Sequence, residues 1–183
     1  MNRLITLHQR SFARAEATLS PWLLPTLARL IFAGVLLVYF WSSAATKLGE
    51  GPLGFLQPSA GAYAQIFPGA FEAVGYDTGQ LSVLHWAIAV AGTCAEFLLP
   101  ALIVLGLFTR LAALGMIGFI AVQSFVDITG HMVDAQTVGH WFDGDSTAPI
   151  LDQRALWLLL LVLLVLRGGG PFSLDRLFSR RRD

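Results

Sequence analysis

Glu96 is the charge that most constrains this chain, because the apolar run 84–108 holds no other ionisable carboxylate or base near its middle. A carboxylate at the centre of a bilayer costs about 3 kcal/mol even on the mildest insertion scale, so it must be neutralised or paired. At the rise of an α-helix, Glu96 lies about 18 Å from residue 84, and Arg29 lies about 9 Å from the opposite edge near residue 23. A long guanidinium side chain spans what remains. Arg29 and Glu96 are therefore read as an intramembrane charge pair, with two roles open. As a structural pair it fixes helix register; as a functional group Glu96 handles protons or orients a ligand.

A second polar set lies at one end of the apolar runs. Gln123, Asp127 and His131 fall at i, i+4 and i+8, one face of a helix. Lys47, His85, Asp152 and Arg154 stand at the ends of the other runs, at the same expected depth. Ringed by Trp41, Trp86, Trp141 and Trp157, these residues form an expected outer polar pocket suited to a quinone-like ring or an acidic small molecule. The alternative is an aromatic belt with solvated end charges.

His131, His140 and Asp143, with Asp134 and Asp145 nearby, carry donor types that suit zinc, copper or iron. Their spacing matches no ligand motif, and solvated loop side chains are the other reading. Cys94 stands alone, which excludes an intramolecular disulfide and a CxxC redox motif. No phosphate-binding loop, nucleophile elbow, HExxH or dinucleotide fingerprint occurs, so no catalytic residue is assigned and an accessory role is expected over a self-contained enzyme.

The elements that must position these residues follow from composition. Hydrophobic residues make up 55% of the 183, charged residues 13%, and mean hydropathy is +0.65. A soluble domain carries about 25% charged residues, so this chain cannot cover a water-facing surface and reads as an integral membrane protein. Crossing the hydrocarbon core takes about 20 apolar residues. Four runs qualify: 23–46, 84–108, 111–128 and 150–167, the last only if Asp152 and Arg154 lie at its boundary. The expected fold is an all-α bundle of four transmembrane helices in a single membrane domain spanning 1–183.

Basic residues set the orientation. Arg3, Arg10, Arg14, Arg29, Arg110, Arg167, Arg176, Arg180, Arg181 and Arg182 fall on one side, Lys47 and Arg154 on the other. Both termini are therefore expected in the cytoplasm, with the protein multi-pass in the membrane. The 12 basic residues equal the 12 acidic ones, so nucleic acid is not an expected partner. Residues 1–20 place Ile5, His8, Phe12, Ala15 and Leu19 at helical spacing, a short amphipathic interfacial helix. The loop 49–82, rich in Gly, Pro and aromatics, is expected to fold back over the outer mouth. After Gly168, Gly169, Gly170 and Pro171, a basic tail over 171–183 is expected to form a short helix capped by Ser173.

Four stretches resemble the DoxX family of small bacterial membrane proteins. They are Arg29-Leu30 followed by Lys47-Leu48; Glu96 followed by the turn from Leu105-Gly106-Leu107-Phe108 through Thr109-Arg110-Leu111-Ala112-Ala113; the uncharged third helix; and Gly170-Pro171-Phe172-Ser173-Leu174-Asp175. The resemblance extends over about 27–177 and implies a four-helix bundle in a bacterial inner membrane. It also implies association with oxidative or sulfur-linked electron transfer, as in a thiosulfate:quinone oxidoreductase subunit, or with membrane complexes of redox-protective enzymes. In the relatives that accompany copper-binding peptides a histidine precedes the tryptophan of the last helix; here Asp152-Gln153-Arg154-Ala155-Leu156-Trp157 has none. The leading expectation is an accessory or quinone-associated subunit serving a redox partner. A small proton-coupled transporter and a non-catalytic scaffold for a soluble protein are the alternatives.

Overall fold

The computed structural model describes residues 2–179, and every regular element among them is helical. The first crossing is built from α1 (Asn2–Phe32), a π-helical turn (Ala33–Leu37) and α2 (Val38–Ala45). The amphipathic N-terminal segment is not a separate helix: it runs without a break into the crossing, with Pro21 and Pro25 inside α1. Residues 3–19 are all exposed, Leu4, Leu7 and Phe12 among them, an apolar surface available to lipid.

The outer segment folds as expected for its composition. Ser59 caps α3 (Ala60–Ile66) by accepting the Ala62 N–H, and Pro68 opens α4 (Pro68–Ala73) at a position where its missing N–H costs nothing. Tyr63 and Phe71 bury against Ala89 of α5 (Val83–Leu105). That burial pushes the Tyr63 phenol above its ordinary range. The segment thus lies against α5.

Gly106 and Phe108, both at positive φ, make the tight turn from α5 into α6 (Thr109–Phe125). A second π-helical turn (Val126–Gly130) extends α6, and after α7 (Ala135–Val138) a third (Pro149–Gln153) opens α8 (Arg154–Arg167). The four crossings, 3–45, 83–105, 109–130 and 149–167, are long and apolar enough to span a bilayer. Each packs on its sequence neighbours, and the first closes against the fourth. At the end of the described chain, α9 (Leu174–Ser179) forms the expected tail helix as far as Ser179; the continuation through Arg182 lies outside the described residues.

The core follows helical spacing. Phe32, Leu36 and Phe40 from the first crossing meet Ala112, Met116 and Ile120 of α6 and Leu161 and Leu164 of α8. The opposite faces carry Leu98, Leu111, Val122, Leu159 and Leu166, all exposed, as a lipid solvent allows.

Candidate functional site

Lys47 lies just beyond α2, and its Nζ donates to Glu96 Oε2 at 2.7 Å, to Ser43 Oγ at 2.8 Å and to the Ser43 carbonyl at 3.3 Å. The three protons of the ammonium therefore have three acceptors. Lys47 is 6% exposed and Glu96 2%, so this is a fully desolvated ion pair. The expected Arg29–Glu96 pair is not formed. α5 begins beyond the end of the first crossing, so Glu96 comes level with Lys47 rather than with Arg29.

Arg29 instead ties three chain segments together. Its guanidinium donates to the Ile103 and Val104 carbonyls at the end of α5, and to the Gly169 and Phe172 carbonyls after α8. Two of these carbonyls belong to the last turn of α5 and two to the segment that joins α8 to α9. Space around it is tight: a Cβ on Gly106 would sit 2.8 Å from Arg29 Cζ and 2.5 Å from Ser173 Cβ. Asp175 completes the knot by accepting from the Phe108 N–H, the Thr109 N–H and the Thr109 hydroxyl at the start of α6.

The Lys47–Glu96 pair lines a cavity of about 330 Å³ between α5 and α6, to which α3 contributes Gln65 and Ile66. Gln123, Asp127 and His131 line it too, so four members of the expected outer pocket come together and Glu96 joins them. The rest of its wall is apolar: Ile88, Gly92, Ala95, Leu99, Phe119 and Val122, with Gly115 and Gly118. Ile88, Gly115, Gly118 and Val122 are exposed, so the cavity opens on the flank of the bundle. A Cβ on Gly118 would meet nothing within 4 Å, whereas one on Gly115 would press Leu99 at 3.0 Å. Gly115 lets the helices approach and Gly118 leaves room. Sequence reasoning missed both; their i, i+3 spacing on one helix face was the available signal.

Two hydrogen-bonding features border this cavity. Gln123 Nε2 donates to Tyr39 Oη at 3.1 Å, while its buried Oε1 has no partner among the described residues. Asp127 accepts from Arg154, which also donates to Ser124 Oγ at 2.7 Å. Arg154, 7% exposed, thus stands behind the cavity wall rather than in it.

The other expected pocket members lie elsewhere. His85 bonds with Ser82 Oγ through Nδ1 and packs edge-on against Phe67. Asp152 accepts the Ala148 N–H at the start of the fourth crossing. No tryptophan lines the cavity. The Trp41, Trp86 and Trp141 indoles donate to the Phe97, Leu56 and Leu151 carbonyls, and Trp157 stacks at an angle on Tyr39 and Phe40. Of the metal-ligand candidates, His131 Nε2 meets the Gln65 carbonyl at 3.0 Å, while His140 and Asp143 line a separate depression. No group of three or more His, Cys, Asp or Glu is gathered as a metal site among the described residues.

The sequence model of the DoxX family matches residues 24–127. The matched stretch holds Arg29, Lys47, Glu96, Gln123, Asp127 and the turn at Gly106, so it contains most of the cavity and two of the three segments tied by Arg29. Neither the curated proteins nor the solved structures contain a match. With more than half of its length matched and four crossings of the expected kind, the chain is a multi-pass membrane protein that belongs to the DoxX family.

Proposed function

We propose that this protein is an accessory subunit of a bacterial inner-membrane redox system that takes a quinone-class molecule from the bilayer into the cavity between α5 and α6. The observation that carries the reading is the cavity's mixed lining: apolar residues that open it on the exposed flank, together with the polar side chains of Lys47, Glu96, Gln123 and His131. A lipid-soluble ring with oxygen substituents needs both. Its chain would lie along Gly118, where a Cβ would meet nothing within 4 Å, and along the exposed Val122. The partnerless Gln123 Oε1 suits a hydroxyl donor such as that of a quinol, because an unpaired buried acceptor gains a bond on binding.

In this reading the chain supplies binding and orientation, and a partner protein supplies the electrons. The basic residues gathered at the end carrying the termini support a cytoplasmic location for that end. The Lys47–Glu96 pair, buried and joined at 2.7 Å, favours a fixed polar wall over a carboxylate that changes protonation during transport.

The test is equilibrium binding of a short-chain ubiquinone analogue to the purified protein in detergent, followed by quenching of tryptophan fluorescence. Gly118→Leu fills the apolar wall and is expected to weaken binding more than tenfold, while Leu159→Ala on the outer face of α8 leaves it unchanged. Equal affinities in the unmodified protein and in Gly118→Leu overturn the proposal.

A further inference from the structure

The end of the bundle opposite Lys47 carries a second cavity, of about 810 Å³, lined by Arg110, Arg167 and Arg176 together with Trp22 and the glycines 168–170. The three arginines come from three elements: the first turn of α6, the last turn of α8, and α9. None of their guanidinium groups forms an ion pair or a hydrogen bond with another described residue. The one carboxylate in the lining, Asp175, is already taken up by the Phe108 and Thr109 N–H groups and the Thr109 hydroxyl.

Arg110 is placed against ordinary helix electrostatics, since a helix N-terminus is itself positive and favours anions. It lies beside the backbone at Gly168, where an added Cβ would come within 3.4 Å of its Nε. An anion in this cavity would meet guanidinium forks from three elements, the planar donors that bind phosphate oxygens.

The surroundings identify the anion's source. Arg110 and Arg167 stand at the ends of membrane-crossing helices, at the depth of lipid headgroups, and Trp22 supplies an indole of the kind that collects there. Beside the arginines, Leu111 and Leu166 are each 68% exposed on the lipid-facing surface, a track for acyl chains. We propose that this cavity holds the phosphate of an anionic diacyl phospholipid, with Arg110, Arg167 and Arg176 as its ligands.

The test is native mass spectrometry of the full chain released from nanodiscs of phosphatidylcholine and phosphatidylglycerol in equal parts. The unmodified protein is expected to retain phosphatidylglycerol preferentially. Arg110→Ala/Arg167→Ala should lower that retention about fivefold per arginine, while Arg10→Ala/Arg14→Ala, on the exposed stretch of α1, leaves it unchanged. Retention of both lipids alike by the unmodified protein overturns the proposal whatever the variants do, and so does an equal loss in the two double variants. Thermal protection by inorganic phosphate in detergent that matches protection by phosphatidylglycerol would identify a free phosphate as the occupant and overturn the lipid assignment.

Discussion

A single carboxylate oxygen, Oδ2 of Asp175, accepts both the N–H and the hydroxyl of Thr109, at 2.9 and 2.7 Å, across 66 residues of sequence. The cap of α6 is thus supplied by a different helix, where most helices take theirs from the adjoining residue. Asp175→Ala leaves the Phe108 and Thr109 N–H groups without their acceptor. The expected loss is about 2 kcal/mol of stability, read as a lower melting temperature in detergent and faster hydrogen exchange at the Thr109 amide. Unchanged exchange there would sink the cap assignment.

Arg29 satisfies four carbonyls that no other described side chain reaches. Arg29→Lys keeps the charge and loses the planar fork, so it is expected to behave nearly as badly as Arg29→Ala. Both variants should give low yields of monodisperse protein on size-exclusion chromatography. A fully stable Arg29→Lys would show that charge alone is what this position needs.

Lys47 and Glu96 are expected to show the asymmetry of a buried pair. Lys47→Met alone strands a desolvated carboxylate and should cost about 3–5 kcal/mol, whereas Lys47→Met/Glu96→Leu removes both charges and should recover most of it. Thermal unfolding of the two singles and the double forms the cycle. Additive losses would show that the two side chains do not interact.

Acid sensitivity is expected at the start of α7. Two N–H groups and a hydroxyl, the Thr137 N–H chief among them, hold the Asp134 carboxyl below the ordinary aspartate range. A carboxyl depressed in the folded state contributes stability above its unfolded pKa of about 3.9 and loses it as pH falls through the lower folded value. Carboxyl carbon shifts from NMR should show Asp134 titrating below the ordinary aspartate range, and the α7 amides should shift with it. Asp134→Asn should abolish that coupled change; its persistence would assign the transition to another group.

What the sequence made legible was set by length and composition. A crossing is a count of apolar residues, so four of them could be read directly, together with the tight turn at Gly106 and the stop at 168–170. The partner of Glu96 could not, because rise per residue measures depth along one helix and says nothing about how far a neighbour is offset. α5 starts outside the end of the first crossing, and that offset exchanges Arg29 for Lys47. The tryptophans were misplaced for a related reason: the Trp41, Trp86 and Trp141 indoles donate to the Phe97, Leu56 and Leu151 carbonyls, and none of these lines the cavity. Gln123, Asp127 and His131 share a wall because their spacing is local to α6 and its extension. His85, Asp152 and Arg154 depended on packing between helices.

The bonds from Arg29 to Gly169 and Phe172, and from Asp175 to α6, impose an order on biosynthesis. A ribosome delivers the three earlier crossings to the membrane while the Gly169 and Phe172 carbonyls that accept from Arg29 Nη1, and the Asp175 carboxylate that accepts the α6 amides, are still unmade. Until then the nascent bundle is held open at that end, and the segment 169–175 acts as a closing clasp. Translation arrest before Gly169 should leave a chain that is inserted yet open to membrane proteases, and one further stretch of synthesis should convert it to a resistant form.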